Sequence, residues 1–280
     1  MGWGKPQPIY YMGEKILIVE AVIVLFFGLV AGSFANVCIY RLPRNESIVF
    51  PASHCPSCNK PIHWYDNIPV FSFLALRARC RSCHKPISWR YPLVEALTGL
   101  LFLAMYWRFG LTLYLFAYCL VSLFLVVITF IDLKEQIIPD ELSYSLLFAG
   151  IFFSFFNAEL YLKYLFYFPL AINRLAASYC GLLVGGGLLY FIAWVSRGGM
   201  GGGDIKLAAA LGTFLGWANT LVMLGISFLL GGVVGVVLLL LGRKKRKDPI
   251  PFGPFIALAT ILLILFETPI YRVINAYFRF

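Results

Sequence analysis

Charge is scarce in this sequence. Asp, Glu, Lys and Arg make up 13% of its 280 residues, about half the share found in a soluble domain. That scarcity excludes an ordinary soluble globular class. Together with a mean hydropathy of +0.84, it points to a polytopic membrane protein. No small-residue A-x-A-like site follows the first apolar run, so that run is not read as a removable signal peptide. Inverted repeats of the spans, a frequent mark of transporters, are missing too. The net charge of +10 needs no nucleic acid to explain it.

Long apolar runs are what the chain has instead. They lie near Ile16–Tyr40, Pro92–Tyr106, Leu111–Ile131, Leu142–Phe156, Leu175–Val195, Ile205–Trp217, Thr220–Leu241 and Phe255–Phe266. The expected fold is therefore all-α and polytopic, with about eight transmembrane helices. Loops after an odd number of crossings (Arg41–Tyr91, Asp132–Glu141, Ser196–Asp204 and Gly242–Pro254) carry most of the 23 Lys and Arg residues. Positive charge marks the cytosolic side, which puts the N-terminus outside. The run Arg243-Lys244-Lys245-Arg246-Lys247 reads as a topology signal of the same kind. Three domains are expected: residues 1–40 with the first helix, a cytosolic insert over 41–91, and a membrane bundle over 92–280.

The insert contains a repeat. Cys55-Pro-Ser-Cys58-Asn-Lys-Pro-Ile-His-Trp64 returns as Cys80-Arg-Ser-Cys83-His-Lys-Pro-Ile-Ser-Trp89, 25 residues later. Each C-x2-C offers two thiolates, and two such knuckles complete a tetrahedral four-sulfur site suited to zinc. A closed site of this kind leaves no position for substrate, so it is read as structural. His54, His63 and His84 beside the knuckles are read as surface residues. Cys38, Cys119 and Cys180, inside apolar runs, are read as packed small residues.

Acids at membrane spans are costly and invite functional readings. Asp132 ends the third span, Asp140 opens the fourth after Pro139, and Asp204 opens the sixth behind "RGGMGGG". All three fall at the cytosolic face by the crossing count. Ile205–Trp217 covers only about 20 Å of helix, less than the ~30 Å hydrocarbon core, so Asp204 is expected partly within the membrane. Glycines before it permit the irregular entry this requires. Two carboxyl groups in a low-dielectric site share one proton, the arrangement for hydrolysing an amide with water. Asp204 could equally be a helix N-cap, and the residues alone do not choose between Asp132 and Asp140. The GxxxG pairs Gly181/Gly185 and Gly231/Gly235 suit close helix packing.

Taken together, "GSFANVCIYRLPR", the two knuckles, "YPLVEALTG", "IDLKEQIIPD", "GMGGGDIKL" and "IPFGPFIALA" resemble the bacterial type IV prepilin peptidases, membrane aspartyl proteases of the GxGD type. The resemblance covers nearly the whole chain. It implies catalytic aspartates at Asp132 and Asp204, with Gly201, Gly203, Asp140 and Lys206 as supporting residues. It implies zinc on Cys55, Cys58, Cys80 and Cys83. By the same resemblance the chain cuts type IV prepilins or pseudopilins after a glycine on the cytosolic side of the bacterial inner membrane. S-adenosylmethionine-dependent N-methylation of the new N-terminus then follows, although no Rossmann-type methyltransferase fingerprint is present. Its partners would be those precursors and membrane lipid. An archaeal preflagellin peptidase would lack the cysteine insert.

Two positions depart from the family pattern. Ala78 stands where many relatives have glycine two residues before the third cysteine, and Gly202 stands where an aromatic residue is common. Extra length between the two aspartates is expected in the outward Asn157–Asn173 loop. Glu46, Asp66, Glu95, Glu135 and Asp140 are candidate contacts for the basic leader. The competing readings are a transporter or channel with a zinc-folded regulatory loop, and a non-catalytic membrane assembly protein.

Overall fold

The structure is a computed structural model, described here for residues 14–157, 160, 170–245 and 248–278. Arg246, Lys247 and most of the Asn157–Asn173 loop lie outside those residues. The secondary structure is helical: α1 (Glu14–Arg41), α2 (Phe71–Ala75), α3 (Arg90–Phe109), α4 (Leu113–Glu135), α5 (Asp140–Ser154), α6 (Leu170–Val195), α7 (Gly202–Leu240) and α8 (Gly253–Phe278). Five of them, α1, α4, α6, α7 and α8, are long and apolar enough to cross a membrane. Two compact units divide the chain between Val127 and Ile128, inside α4.

In the first unit α1 and α3 form an antiparallel pair. Asn36 Nδ2 donates to the Tyr91 carbonyl at 3.0 Å, and the Tyr106 hydroxyl donates to Glu20 Oε2 at 2.7 Å. Glycines set the approach. A Cβ on Gly28 would lie 2.8 Å from the Gly99 Cα, and one on Gly32 would lie 2.6 Å from the Glu95 Cα. "GLVAG" is thus a third small-residue contact, one that the reading of the sequence passed over.

In the second unit α6 runs antiparallel to the start of α7. A Cβ on Gly181 would collide with the Gly212 carbonyl, and one on Gly185 with the Ala208 carbonyl. The GxxxG pair expected to pack therefore does so, backbone on backbone. Gly231 and Gly235 instead face the side chains of Phe255, Phe252 and Ile250.

Helix α7 is two arms. Gly216 breaks it with φ 72° and ψ 173°, a region reserved for glycine. The Gly185 Cβ position borders both the Ala208 carbonyl and, at 3.2 Å, Thr220 Cγ2. In one straight helix those residues would stand about 18 Å apart. The chain therefore doubles back at Gly216, which matches two short runs, Ile205–Trp217 and Thr220–Leu241, better than one long helix. The second arm lies antiparallel to α8: Asn219 bonds Glu267 at 3.3 Å and Tyr271 at 2.5 Å, near the far end of α8.

Helix α8 outruns its expected end at Phe266. It breaks there (φ −121°, ψ 31°) and resumes to Phe278. Pro269 is the cause: it lacks an N–H and its ring crowds the carbonyl four residues back.

Candidate active site and metal centre

The two knuckles repeat in three dimensions as they do in sequence. In each, the first cysteine's N–H bonds the carbonyl of the following lysine: Cys55 to Lys60 at 3.0 Å, and Cys80 to Lys85 at 2.9 Å. The residue after each second cysteine is left-handed, Asn59 at φ 55° and His84 at φ 57°. Short bridges, His54 with Pro61 and Arg79 with Pro86, close each turn. The four sulfurs lie within 4.8 Å of one another, and Cys55 Sγ to Cys83 Sγ is 3.9 Å. Tetrahedral zinc with bonds near 2.3 Å requires sulfurs ~3.8 Å apart, so the donor set fits. Backbone N–H groups of Cys83 and Ser82 aimed at its sulfur lower the Cys80 thiol, while at Cys83 the Lys85 N–H is outweighed by burial and the surrounding thiols, which raise that one, so the metal-free sulfurs share their protons. His54, His63 and His84 are exposed, Cys38 and Cys119 are buried, and Cys180 is half-buried, as their positions in the sequence implied.

Ala78 has φ 56°. A Cβ in the left-handed region costs about 1 kcal/mol or more, a cost that the glycine expected here from the family resemblance would avoid. Ala78→Gly should therefore stabilise the metal-binding segment by about 1 kcal/mol, measured as slower thiol labelling of the four cysteines in denaturant; unchanged labelling would count against it. Gly202 is the opposite case. Its Cβ position meets nothing within 4 Å, so a larger side chain could start there without a clash.

The second unit gathers the acids. Asp132, in the last turn of α4, is 5% exposed. Its Oδ2 accepts the Gly253 N–H at 3.0 Å, and Gly253 is the first residue of α8. Asp204 is the third residue of α7, whose N-cap is Gly201. The Asp204 carboxyl accepts the Gly201 N–H, half of a capping box, and sits where a helix N-terminus favours negative charge. Ile138, in the link between α4 and α5, packs beside a neighbour of each aspartate. Its side chain lies 2.9 Å from a Cβ position on Gly203 and 3.1 Å from one on Gly253. Asp132 and Asp204 are close enough for their charges to interact.

Asp140 is engaged elsewhere. Lys206 Nζ reaches both of its oxygens at 2.7 Å, in an exposed ion pair between α5 and α7. Asp66 is held by Arg81 through two bonds of 2.7 and 2.6 Å, which keep its carboxyl below the ordinary range. Glu135 pairs with Lys134, while Glu95 is buried and accepts the Val70 N–H at 2.7 Å. Of the five acids considered for leader contact, those four already hold partners, and Glu46 is exposed.

Gly253 and Ile138 were not singled out from the sequence as site residues. "IPFGPF" was the available signal, since a glycine between aromatics invites close backbone approach. A Cβ on Gly253 would stand 2.7 Å from Asp132 Oδ2. Gly253→Ala must push that carboxylate aside by tenths of an ångström. Misplacement approaching 1 Å lowers rates about 100-fold, so amide-bond cleavage should fall roughly 10–100-fold with the protein still folded. Full activity in that variant would remove Gly253 from the site.

Comparison with known proteins bears on these same residues. The family model described as "Bacterial Peptidase A24 N-terminal domain" matches residues 26–109, and "Type IV leader peptidase family" matches residues 119–236. A prepilin leader peptidase/N-methyltransferase of Aeromonas salmonicida is 36% identical over 280 residues, covering 89% of this chain and 92% of that protein. One from Xanthomonas campestris is 35% identical, covering 90% and 92%. One from Myxococcus xanthus is 43% identical over 226 residues, covering 79% of this chain and 63% of that protein. No solved structure matches the chain. With family matches in both units and that identity over most of the chain, the chain belongs to the type IV leader peptidase family.

Proposed function

We propose that this protein is a membrane-embedded aspartyl endopeptidase that removes the short basic leader from type IV prepilin or pseudopilin precursors. It cuts after a glycine on the cytosolic side and then N-methylates the new N-terminus. The observation that carries the reading is the convergence of Asp132 and Asp204 about Ile138, with the Gly253 N–H fixed on Asp132.

Two neighbouring carboxyl groups hold one proton between them. The charged member takes a proton from a bound water as its oxygen attacks the scissile carbonyl. The protonated member donates to the carbonyl oxygen. As the tetrahedral intermediate collapses, a proton passes to the leaving amine. The Gly253 N–H orients Asp132, and the Gly201 N–H with the α7 N-terminus orients Asp204. Lys206 neutralises Asp140, which favours Asp132 as the partner of Asp204. Gly203 lets Ile138 approach, and Gly201 starts the helix.

Zinc, held by Cys55, Cys58, Cys80 and Cys83, supplies folding energy to the insert. S-adenosylmethionine is the methyl donor that transfer implies. Its adenosine, sulfonium and amino-acid groups call for a polar cradle, which the described residues do not single out, and no step is derived through it. We place the chain in the bacterial inner membrane with eight crossings, counting the two arms of α7 separately. The N-terminus is outside, with the insert (41–91) and the aspartates of the bundle (92–280) at the cytosolic face. Amphipathic precursors and anionic lipid are its partners, and Glu46 is the exposed acid left for the basic leader.

The test is purified protein in lipid with a precursor of the form basic leader–Gly–Phe–apolar helix. The product should begin at the residue after glycine, and with S-adenosylmethionine present it should gain the mass of one methyl group. A precursor left intact by folded, zinc-loaded protein would overturn the peptidase reading and send the work to ion-flux assays.

A further inference from the structure

The metal-binding insert exposes several large apolar side chains, Val49, Phe50 and Trp64 among them, and at α2 such side chains form one face of a helix. Helix α2 buries Ser72 and Phe73 and presents Phe71 and Leu74, 65% and 62% exposed, one turn apart on the opposite face. Next to it stands Trp89, 72% exposed, the N-cap of α3; its ring meets Phe73 edge-on at 4.7 Å. Arg77 and Arg79 follow directly and are exposed.

The start of α2 is pinned at a definite depth. Val70 has φ 61° and ψ −47°, and the Phe71 N–H bonds the Pro69 carbonyl at 2.6 Å. That is a tight three-residue turn, which a β-branched residue adopts only under strain. The Glu95 carboxylate accepts the Val70 N–H and holds the turn. Glu95 lies five residues into α3, about 7 Å along its axis, less the backward lean of its side chain. Helix α1 gives a second ruler. Gly32 faces Glu95, and from Gly32 α1 continues nine residues to Arg41, about 13 Å. So α2 begins well inside the ends of the helices that flank it.

We propose that α2 is a membrane-surface anchor: Phe71 and Leu74, with Trp89, insert into the headgroup–acyl boundary of the leaflet where α1 ends and α3 begins, and Arg77 and Arg79 meet anionic lipid phosphate. Interfacial helices insert about 5–10 Å, the same scale as the ~7 Å rise from the start of α3 to Glu95. Tryptophan at a helix end marks the same layer. Two neighbouring exposed arginines match an anionic surface. Bilayer is thus the occupant favoured over a peptide. The insert is thereby held against the membrane by more than its two chain connections. The inference rests on the reading that α1 crosses the membrane.

The test is photo-crosslinking in the full, zinc-loaded chain, reconstituted in phosphatidylethanolamine–phosphatidylglycerol vesicles. p-Benzoylphenylalanine is introduced separately at Phe71, at Leu74, at Phe27 on the exposed face of α1, and at Lys60 beside the first knuckle. Zinc content equal to wild type checks folding of each variant. The expected result is phospholipid adduct at Phe71 and Leu74 as abundant as at Phe27, none at Lys60, and a clear fall at Phe71 when Glu95→Ala removes the pin. Adduct at Phe27 but at neither Phe71 nor Leu74 would overturn the anchor while leaving the crossing intact. Adduct to an added precursor in place of lipid would overturn it in favour of a peptide-docking face. No adduct at Phe27 would overturn the crossing of α1, and the anchor with it.

Discussion

Asp132→Asn and Asp204→Asn, each purified in lipid, should lose precursor cleavage by at least about a thousandfold, as removal of one member of a catalytic unit does. Asparagine nearly matches aspartate in shape. Its amide oxygen can still accept the Gly253 N–H at position 132 and the Gly201 N–H at position 204, so the fold should survive. What it cannot do is take a proton from water or share one with its neighbour. Asp140→Asn serves as the internal comparison. It breaks an exposed ion pair with Lys206, worth about 0–1 kcal/mol, which corresponds to no more than about a fivefold change. Cleavage is followed by mass spectrometry of the truncated product, and folding by zinc content. Loss of activity in Asp140→Asn with retention in Asp132→Asn would move the site to the start of α5. Equal activity in all three variants would end the two-carboxylate mechanism.

That comparison is informative because the sequence alone left Asp132 and Asp140 level, and family resemblance chose between them. The reason is physical. An acid's role depends on what lies opposite it, and Lys206 is 66 residues from Asp140 along the chain. The knuckles were legible because a repeated residue pattern imposes a repeated turn, down to the left-handed Asn59 and His84. The two arms of α7 were legible because the apolar runs Ile205–Trp217 and Thr220–Leu241 are separated just past Gly216. Gly253 and Ile138 were not, since one contributes a backbone N–H and the other a wedge of hydrocarbon, neither of which has a chemical signature. Glu95 shows the converse error. Although it lies within the apolar run Pro92–Tyr106, it was offered as a leader contact, whereas burial and the Val70 N–H give it a structural task.

Stripping the zinc should produce the second large effect, confined to the insert. Between α1 and α3, Phe73 is the one large apolar side chain among the described residues that is buried, so the segment has almost no hydrophobic core of its own. A structural four-sulfur site is worth on the order of 10 kcal/mol, as much as the whole stability of many domains. Chelation, or Cys55→Ser, should therefore abolish hydrogen-exchange protection across the knuckles and open their thiols to labelling. Cys38 and Cys119 are buried in α1 and α4 and should stay unlabelled. Protection across the α6–α7 contact should persist, because that contact belongs to a separate compact unit. Unchanged protection of the knuckles after zinc is removed would mean that turns and the Asp66–Arg81 pair hold the insert without metal. Collapse that spreads to α6 and α7 would mean that the two units share their stability, and the insert could no longer be treated as a module folded by its own metal.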